Sequence, residues 1–551
     1  MAKPHDSGKQ PEKAGFSPAY YAAAFAGLCL FFWFLGGRAA YRNDELQHIH
    51  TSFEASRGGL PYRDYFDNHV PAYQFLTGLE IRMLGIKPSP DFPVKIRRLS
   101  FPLLAALLLL LVLISRSVIF KDREQYLAAA LLGGALLPFM AAQARPEPLW
   151  GTLFFLSLYL FSSGPPSVKR FLLLGLLNGL NVCVSLKTLA FPVLPELLSL
   201  PALFALYPAG LTAVSGAAFL GGLIVFPGLL LLYFGHAGAL TDFFNFAVFY
   251  SLRAGSGGHG HSGPAAAAIV LVSGLAYFAV KRFKGRPGPG RTAFFIPVFF
   301  SLAVLALYPV REAQTMFPFL TLAYLLLAAL AVRGVWKVFP AGWPRRFALL
   351  CLLSGVVYGR LASEKVFQAN NAAYQAELGV LLKLQPGTGG TVMDAKGESL
   401  FWRRPFFYAL ETFAVEGIRA GAINDTVPQD TAREATPVVF LKYPWRFTPA
   451  DLSFFSGNYL PVCGNPAVLA AGRVLSGTKF ETKLPLSYRL LCPAGKAAAG
   501  ILDGKKYNGE SVSLNAGPHS FRAGPACRDA LLIWSRAAET GALPCGYGET
   551  Q

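Results

Sequence analysis

The densest run of chemically capable side chains in the 551-residue sequence is YRNDELQHIHTSFEASRGGLPYRDYFDNHVPAYQFL, from Tyr41 to Leu76. Asp44 and Glu45 directly follow an apolar run, so their carboxylates sit at a membrane boundary, within reach of a lipid headgroup. The plainer reading is a pair of solvated acids in a first helical turn, favoured there by the helix dipole. Asp64, Asp67 and His69 belong to the same run, and with His48 and His50 they raise the option of a bound divalent metal. His48 and His50 are two apart and point to different helix faces, which argues against joint ligation. Further along, Arg145, Lys187 and Arg311 each stand at or near the end of an apolar run. A charge at the bilayer centre costs about 2.5 to 3.5 kcal/mol on insertion scales, so Lys187, in VSLKTLAF, needs a reason to be there. A phosphate contact is one reason and snorkelling to the interface is the other. Arg145 with Glu147 reads either as an ion pair bracing a tight turn or as a phosphate contact.

Positioning these residues falls to a strongly apolar chain, 53% hydrophobic and 15% charged, which excludes a purely water-soluble protein. The net charge of +19 does not indicate nucleic acid, because no basic patch with interleaved aromatics stands apart from the apolar segments. A spanning helix needs roughly 20 apolar residues, and about eleven segments qualify by that rule. They lie near 18 to 36, 99 to 115, 126 to 143, 147 to 163, 170 to 186, 189 to 206, 211 to 234, 264 to 281, 292 to 309, 314 to 332 and 347 to 362. Short basic loops mark the cytoplasmic side. Here they are the tail with Lys3, Lys9 and Lys13, then Arg116 to Arg123, Lys281 to Arg291 and Arg333 to Arg346. That orientation puts residues 37 to 98, the 143 to 147 turn, residues 235 to 263 and everything after about 363 outside. A cleaved signal peptide ending near Arg38-Ala39-Ala40 is the alternative for the first run, which is longer than a typical signal core. The Gly-rich stretch holding His259 and His261 reads as a substrate gate or as a flexible connection.

After residue 363 the pattern changes to Gly/Pro turns, a helical stretch at 364 to 384, and short β-type runs such as Thr391 to Met393 and TPVVFLKY at 436 to 443. We therefore expect a membrane domain over 1–363, with residues 37–98 carrying the site, and a soluble domain over 364–551. The latter divides into an α/β part, 364–460, and a small β part, 461–551. Cys463, Cys492, Cys527 and Cys545 lie there without CxxC spacing, so disulfides in an oxidising compartment fit better than zinc, with three pairings open.

Asp44-Glu45, followed by Gly59-Leu60-Pro61-Tyr62-Arg63-Asp64 and Asp67-Asn68-His69-Val70-Pro71, resembles the first outside loop of GT-C glycosyltransferases. The pattern is most similar to the protein mannosyltransferase and aminoarabinose transferase group, with its RgtA/B/C/D-like bacterial members. Ala144-Arg145-Pro146-Glu147-Pro148-Leu149 resembles the outside turn between that family's third and fourth spans. The resemblance covers roughly residues 18 to 335 and implies an all-α polytopic membrane bundle of GT-C type, with the soluble mixed α/β and β domain appended. It implies a polyprenyl-phosphate sugar donor, a lipid, glycan or protein acceptor, and inversion at the anomeric carbon. Such a protein sits in a bacterial inner membrane among membrane lipids, with its N-terminus cytoplasmic, its C-terminal domain periplasmic, and no nucleic-acid partner. By the same resemblance Asp44 is the base, Glu45 is a second carboxylate or a loop anchor, and Arg145 and Arg311 meet phosphate, with Lys187 a further candidate cation from its position alone. Asp64, Asp67 and Glu147 then belong to the substrate site, and His69, where relatives often carry a basic residue before proline, either meets donor phosphate or packs the loop. Because phosphate leaves without a proton, no general acid is needed, and no cofactor is required, a divalent metal being the less favoured option. Two competing classes are a transporter or flippase of a lipid-linked sugar and a non-catalytic membrane assembly protein. The first lacks paired Gly/Pro-broken spans in corresponding halves, and the retained Asp44 speaks against the second.

Overall fold

In lipid, backbone N–H and C=O groups have no water to turn to, so apolar segments close their hydrogen bonds as helices. A computed structural model describes residues 18–206, 208–250, 289–307, 313–364, 371–525, 527 and 529–547 of the chain. α1 (Pro18–Arg38) is followed by three helices of the first loop region, α2 (Asn43–Ser56), α3 (Ala72–Met83) and α4 (Phe92–Leu99). Next come α5 (Phe101–Ile114), α6 (Arg123–Ala135), α7 (Pro146–Ser162), α8 (Val168–Val184), α9 (Leu194–Leu206) and α10 (Ala209–His236). Helices Pro289–Leu307, Ala313–Val338 and Trp343–Ser363 complete this part. Every predicted apolar segment is helical over much of its length except 264 to 281, which lies outside the described residues together with His259 and His261.

Among the described residues, five helices are long and apolar enough to cross a membrane: Ala19–Arg38, Phe92–Ile119, Gly210–His236, Gln314–Val338 and Trp343–Ser363. The chain is a multi-pass membrane protein. The count of eleven is not confirmed, since 264 to 281 lies outside the described residues and several of the other segments form shorter helices. α7, for example, starts at Pro146 and ends after 17 residues. α8 and α10 meet with almost no side chain between them. A Cβ on Gly175 would stand 2.1 Å from the Phe219 carbonyl oxygen, and one on Gly179 would stand 2.5 Å from that of Leu223. Glycines four apart leave one helix face flat enough for backbones to touch, which in lipid stands in for the missing hydrophobic drive between helices.

The C-terminal domain carries β1 (Val392–Asp394), β2 (Val438–Phe440), β3 (Tyr459–Val462), β4 (Asn465–Leu475), β5 (Lys479–Thr482) and β6 (Leu486–Leu491). β7 (Gly500–Leu502), β8 (Lys505–Tyr507), β9 (Val512–Leu514), β10 (Gly517–Ala523) and β11 (Ala530–Trp534) follow. One seven-stranded sheet runs β1-β2-β4-β11-β6-β9 with β3 beside β4, and a four-stranded sheet runs β5-β10-β7-β8. β1 and β2 are parallel, and β2 pairs antiparallel with β4. The larger sheet therefore crosses residue 460 without a break, and the α/β and β parts share it. Disulfides Cys463–Cys545 and Cys492–Cys527 select one of the three pairings.

The same domain packs directly on the first loop region. Leu46, Ile49 and Phe53 of α2 share one buried cluster with Phe401, Trp402, Val438 and Leu531, and the Phe53 and Phe401 rings meet edge to face at 5.2 Å. Loop and domain thus lie on the same side of the bundle.

Candidate active site

The chain leaves α1 at Arg38, turns, and begins α2 with Asp44 and Glu45 in its first turn. Neighbours on the helix, the two carboxylates point into different surroundings. Glu45 is fully buried and accepts two bonds of 2.6 Å from Arg97, through Nε and Nη2. The Ala144 N–H donates to it at 2.9 Å. Arg97 also donates to the carbonyls of Gly36, Ala39 and Ala40 at 2.9, 2.7 and 3.0 Å, and its guanidinium stacks 4.4 Å from the centre of the Tyr41 ring. One ion pair thereby satisfies carbonyls that the end of α1 leaves orphaned and fastens together α1, α2, α4 and the turn before α7.

Asp44 remains partly exposed. Lys396 Nζ donates to its Oδ1, and Arg145 Nη2 lies 3.5 Å from its Oδ2. Burial pushes the Asp44 carboxyl up, but the adjacent Lys396 and Arg145 charges outweigh it and hold the group well below the usual carboxylate range. Arg145 is itself held in place, donating to Glu147 at 3.1 and 3.3 Å and to Gln314 Oε1 at 2.6 Å. Asp44, Arg145 and Glu147, separated by a hundred residues, belong to one charge network.

One turn along α2, the buried His48 ring lies 4.6 Å from that of His69. Burial, then the charges of His69 and Arg145, push the His48 imidazole well below its usual value. His69 is oriented by buried Asp67, which accepts from its backbone N–H at 3.0 Å, lies 2.9 Å from its Nδ1, and accepts from Gln74 at 2.8 Å. His50 faces the other way, its Nδ1 3.0 Å from the Leu400 carbonyl oxygen. Asp64 is exposed and bonds within its own loop, accepting from Leu60 N–H at 2.8 Å and from Arg63. Lys187 is half-buried just after α8, next to Leu186, which packs with Leu60, Tyr62 and Val70 of the first loop region. Arg311 lies outside the described residues. Among the described residues, no group of three or more His, Cys, Asp or Glu is placed to hold a metal ion.

Three participants escaped the sequence reading. Arg97 belongs to Lys95-Ile96-Arg97-Arg98, a basic run on the side expected to be poor in Lys and Arg, and that mismatch was the available signal. Lys396 follows β1 directly, and the loop at the carboxyl end of a parallel strand is where α/β sheets place functional groups. Glu411 accepts from Asn68 Nδ2 at 3.0 Å, and burial raises its carboxyl above the usual range. Beside it, Phe66 packs edge to face on Tyr250 and Phe407, at 5.4 and 5.8 Å. Phe243 and Phe246 turn toward Tyr62 and Phe66, at 5.7 and 5.8 Å.

No protein-family model and no curated protein matches the chain. Among solved structures it is similar to the Archaeoglobus fulgidus oligosaccharyltransferase in its apo form, at 11% identity and a TM-score of 0.45, over 91% of this chain and 75% of that one. The same protein tethered to an acceptor peptide gives 12% identity and a TM-score of 0.43, over 83% and 74%. The likeness is loose at that level, and the chemistry is read from the side chains of this chain.

Proposed function

We propose that the chain is a GT-C-type inverting glycosyltransferase that moves a sugar from a polyprenyl-phosphate donor to a lipid, glycan or protein acceptor. The observation that carries the reading is Asp44: a partly exposed carboxylate next to the end of an apolar helix, with a cation against each oxygen. In the step, the acceptor hydroxyl attacks the anomeric carbon in line with the departing phosphate. Its proton passes to Asp44. The sugar–oxygen bond breaks with its electron pair going to the phosphate, where fixed cations stabilise the charge that develops. Arg145, braced by Glu147 and Gln314, is one of these cations, and Lys187 and Arg311 are the further candidates. Asp67 and His69, bonded to each other, are further substrate-site residues, Asp64 holds the neighbouring turn, and Glu45 serves as anchor. The site faces the periplasm of a bacterial inner membrane, with the N-terminus cytoplasmic and the C-terminal domain exported.

The deciding experiment measures release of undecaprenyl phosphate from a panel of undecaprenyl-phosphate sugars by the purified full chain, with acceptor-containing membrane extract. Wild type releases it from one donor, EDTA leaves the rate unchanged, and Asp44→Asn abolishes release while remaining folded. Absence of release from every donor by folded wild type overturns the reading.

A further inference from the structure

A carboxylate clasped by two cations is a reluctant proton acceptor, so a transferase built on Asp44 needs a way to loosen that grip during the reaction. The two cations differ in how they are held. Arg145 is fixed by Glu147 and Gln314. Lys396, buried at 5% exposure, has Asp44 as its single ion-pair partner among the described residues. Its backbone is rigid. Asp394 accepts from the N–H groups of Gly397 and Ser399 at 2.8 Å each. Glu398 accepts from the Lys396 N–H at 2.7 Å, and Tyr374 donates to the Glu398 carbonyl at 2.7 Å. Gly397 has a φ of +95° and presses so close to α2 that a Cβ would stand 2.8 Å from the His50 ring. A rigid cradle thus presents a flexible four-carbon stem with a point charge at its tip, the form in which lysine binds phosphate.

We propose that Lys396 is a phosphate-binding residue contributed by the C-terminal domain, paired with Asp44 in this structure and passing to the phosphomonoester of the lipid as transfer proceeds. This rests on the transferase reading above. The charges balance through the step. The donor phosphodiester carries one negative charge and leaves as a monoester with a second, while the acceptor proton neutralises Asp44. Lys396 loses its carboxylate partner as the phosphate gains charge. The C-terminal domain is then part of the reacting centre and not an accessory that selects acceptors.

The test is a double-variant cycle on undecaprenyl phosphate binding to the full chain in nanodiscs, beside turnover of the same preparations. Asp44→Asn frees Lys396 and tightens binding about 10- to 100-fold, the range of one charge-assisted hydrogen bond. That gain disappears in Asp44→Asn with Lys396→Met. Alone, Lys396→Met lowers the rate at saturating donor about 100-fold or more, moves the acid limb of the pH profile upward, and is largely rescued by Lys396→Arg. An equal gain from Asp44→Asn in both backgrounds, or wild-type turnover by Lys396→Met, overturns the proposal. A cycle that behaves as expected in a protein that transfers no sugar keeps the phosphate contact and removes the transferase reading. Phosphatidic acid as a second probe separates a general lipid phosphomonoester site, which it would fill equally, from one selecting the isoprenoid.

Discussion

Removing either partner of the Glu45–Arg97 pair should cripple stability before it affects chemistry. Arg97→Met keeps most of the stem and deletes the charge. It leaves Glu45, fully buried, with the single Ala144 N–H at 2.9 Å, and takes the guanidinium donors from Gly36 and Ala40. The Ala39 carbonyl keeps Asn371 Nδ2, at 2.9 Å. Breaking a buried pair from one side costs about 3 to 5 kcal/mol, and each orphaned carbonyl adds about 1 to 3 kcal/mol unless water enters. Arg97→Met therefore falls at or above the top of the pair range. Glu45→Gln falls inside it, since Arg97 keeps its three carbonyls while the new amide offers a donor to a guanidinium. Heating in detergent with a thiol-reactive dye reports the loss through buried Cys183. We expect the apparent Tm to fall by about 5 °C or more for Glu45→Gln, given roughly 2 °C per kcal/mol in a large domain. The double variant should lose clearly less than the sum, because no unpaired charge remains. Below its Tm, Glu45→Gln should transfer sugar within a few-fold of wild type. A Glu45→Gln protein as stable as wild type and inactive would refute the anchor role and put Glu45 in the chemistry.

Two further outcomes follow from the same kind of accounting. His48 is held neutral in the fold, among His69, Arg145, Asp44 and Lys396, whereas the unfolded chain takes up its proton near pH 6.5. Stability therefore falls as pH drops through that value, by about 1.4 kcal/mol at pH 5.5 from this group alone. His48→Gln should flatten the fall in apparent Tm between pH 7.5 and 5.5, and an unchanged slope would show that the imidazole is not protected. In the bundle, Gly175→Val drives a side chain against the Phe219 carbonyl and should destabilise by about 3 kcal/mol or more as overpacking forces the backbones apart. The control Gly228→Val, where a Cβ meets nothing within 4 Å, should cost far less. Equal Tm values for the two would refute the close α8–α10 contact.

Much of the candidate site could be picked out because its residues are unusual where they stand. Asp44 and Glu45 stand just past an apolar run, and Arg145-Pro-Glu147 occupies a turn too short for casual charges. Their division of labour was not legible, since it depends on which face of α2 meets Arg97 and which meets Lys396. The latter lies 352 residues beyond Asp44. β1 and β2, three residues each, are too short for a period-two pattern to register. The boundary placed at residue 460 fell inside a sheet because β4 pairs on one side with β2 and on the other with β11, a partner some sixty positions downstream that periodicity cannot foresee.

The position of β11 also sets a timetable for biogenesis. It lies between β4 and β6, yet every other strand of that sheet precedes it in the chain. While the ribosome has not passed Trp534, the sheet exists as two halves with facing open edges, each offering unpaired backbone groups. The Lys396 loop follows β1, in the half that also holds β2, β3 and β4, so the third charge stands on a sheet that only β11 completes. A nascent chain stalled before β11 would lack the strand that joins β4 to β6 and leave the sheet in two parts.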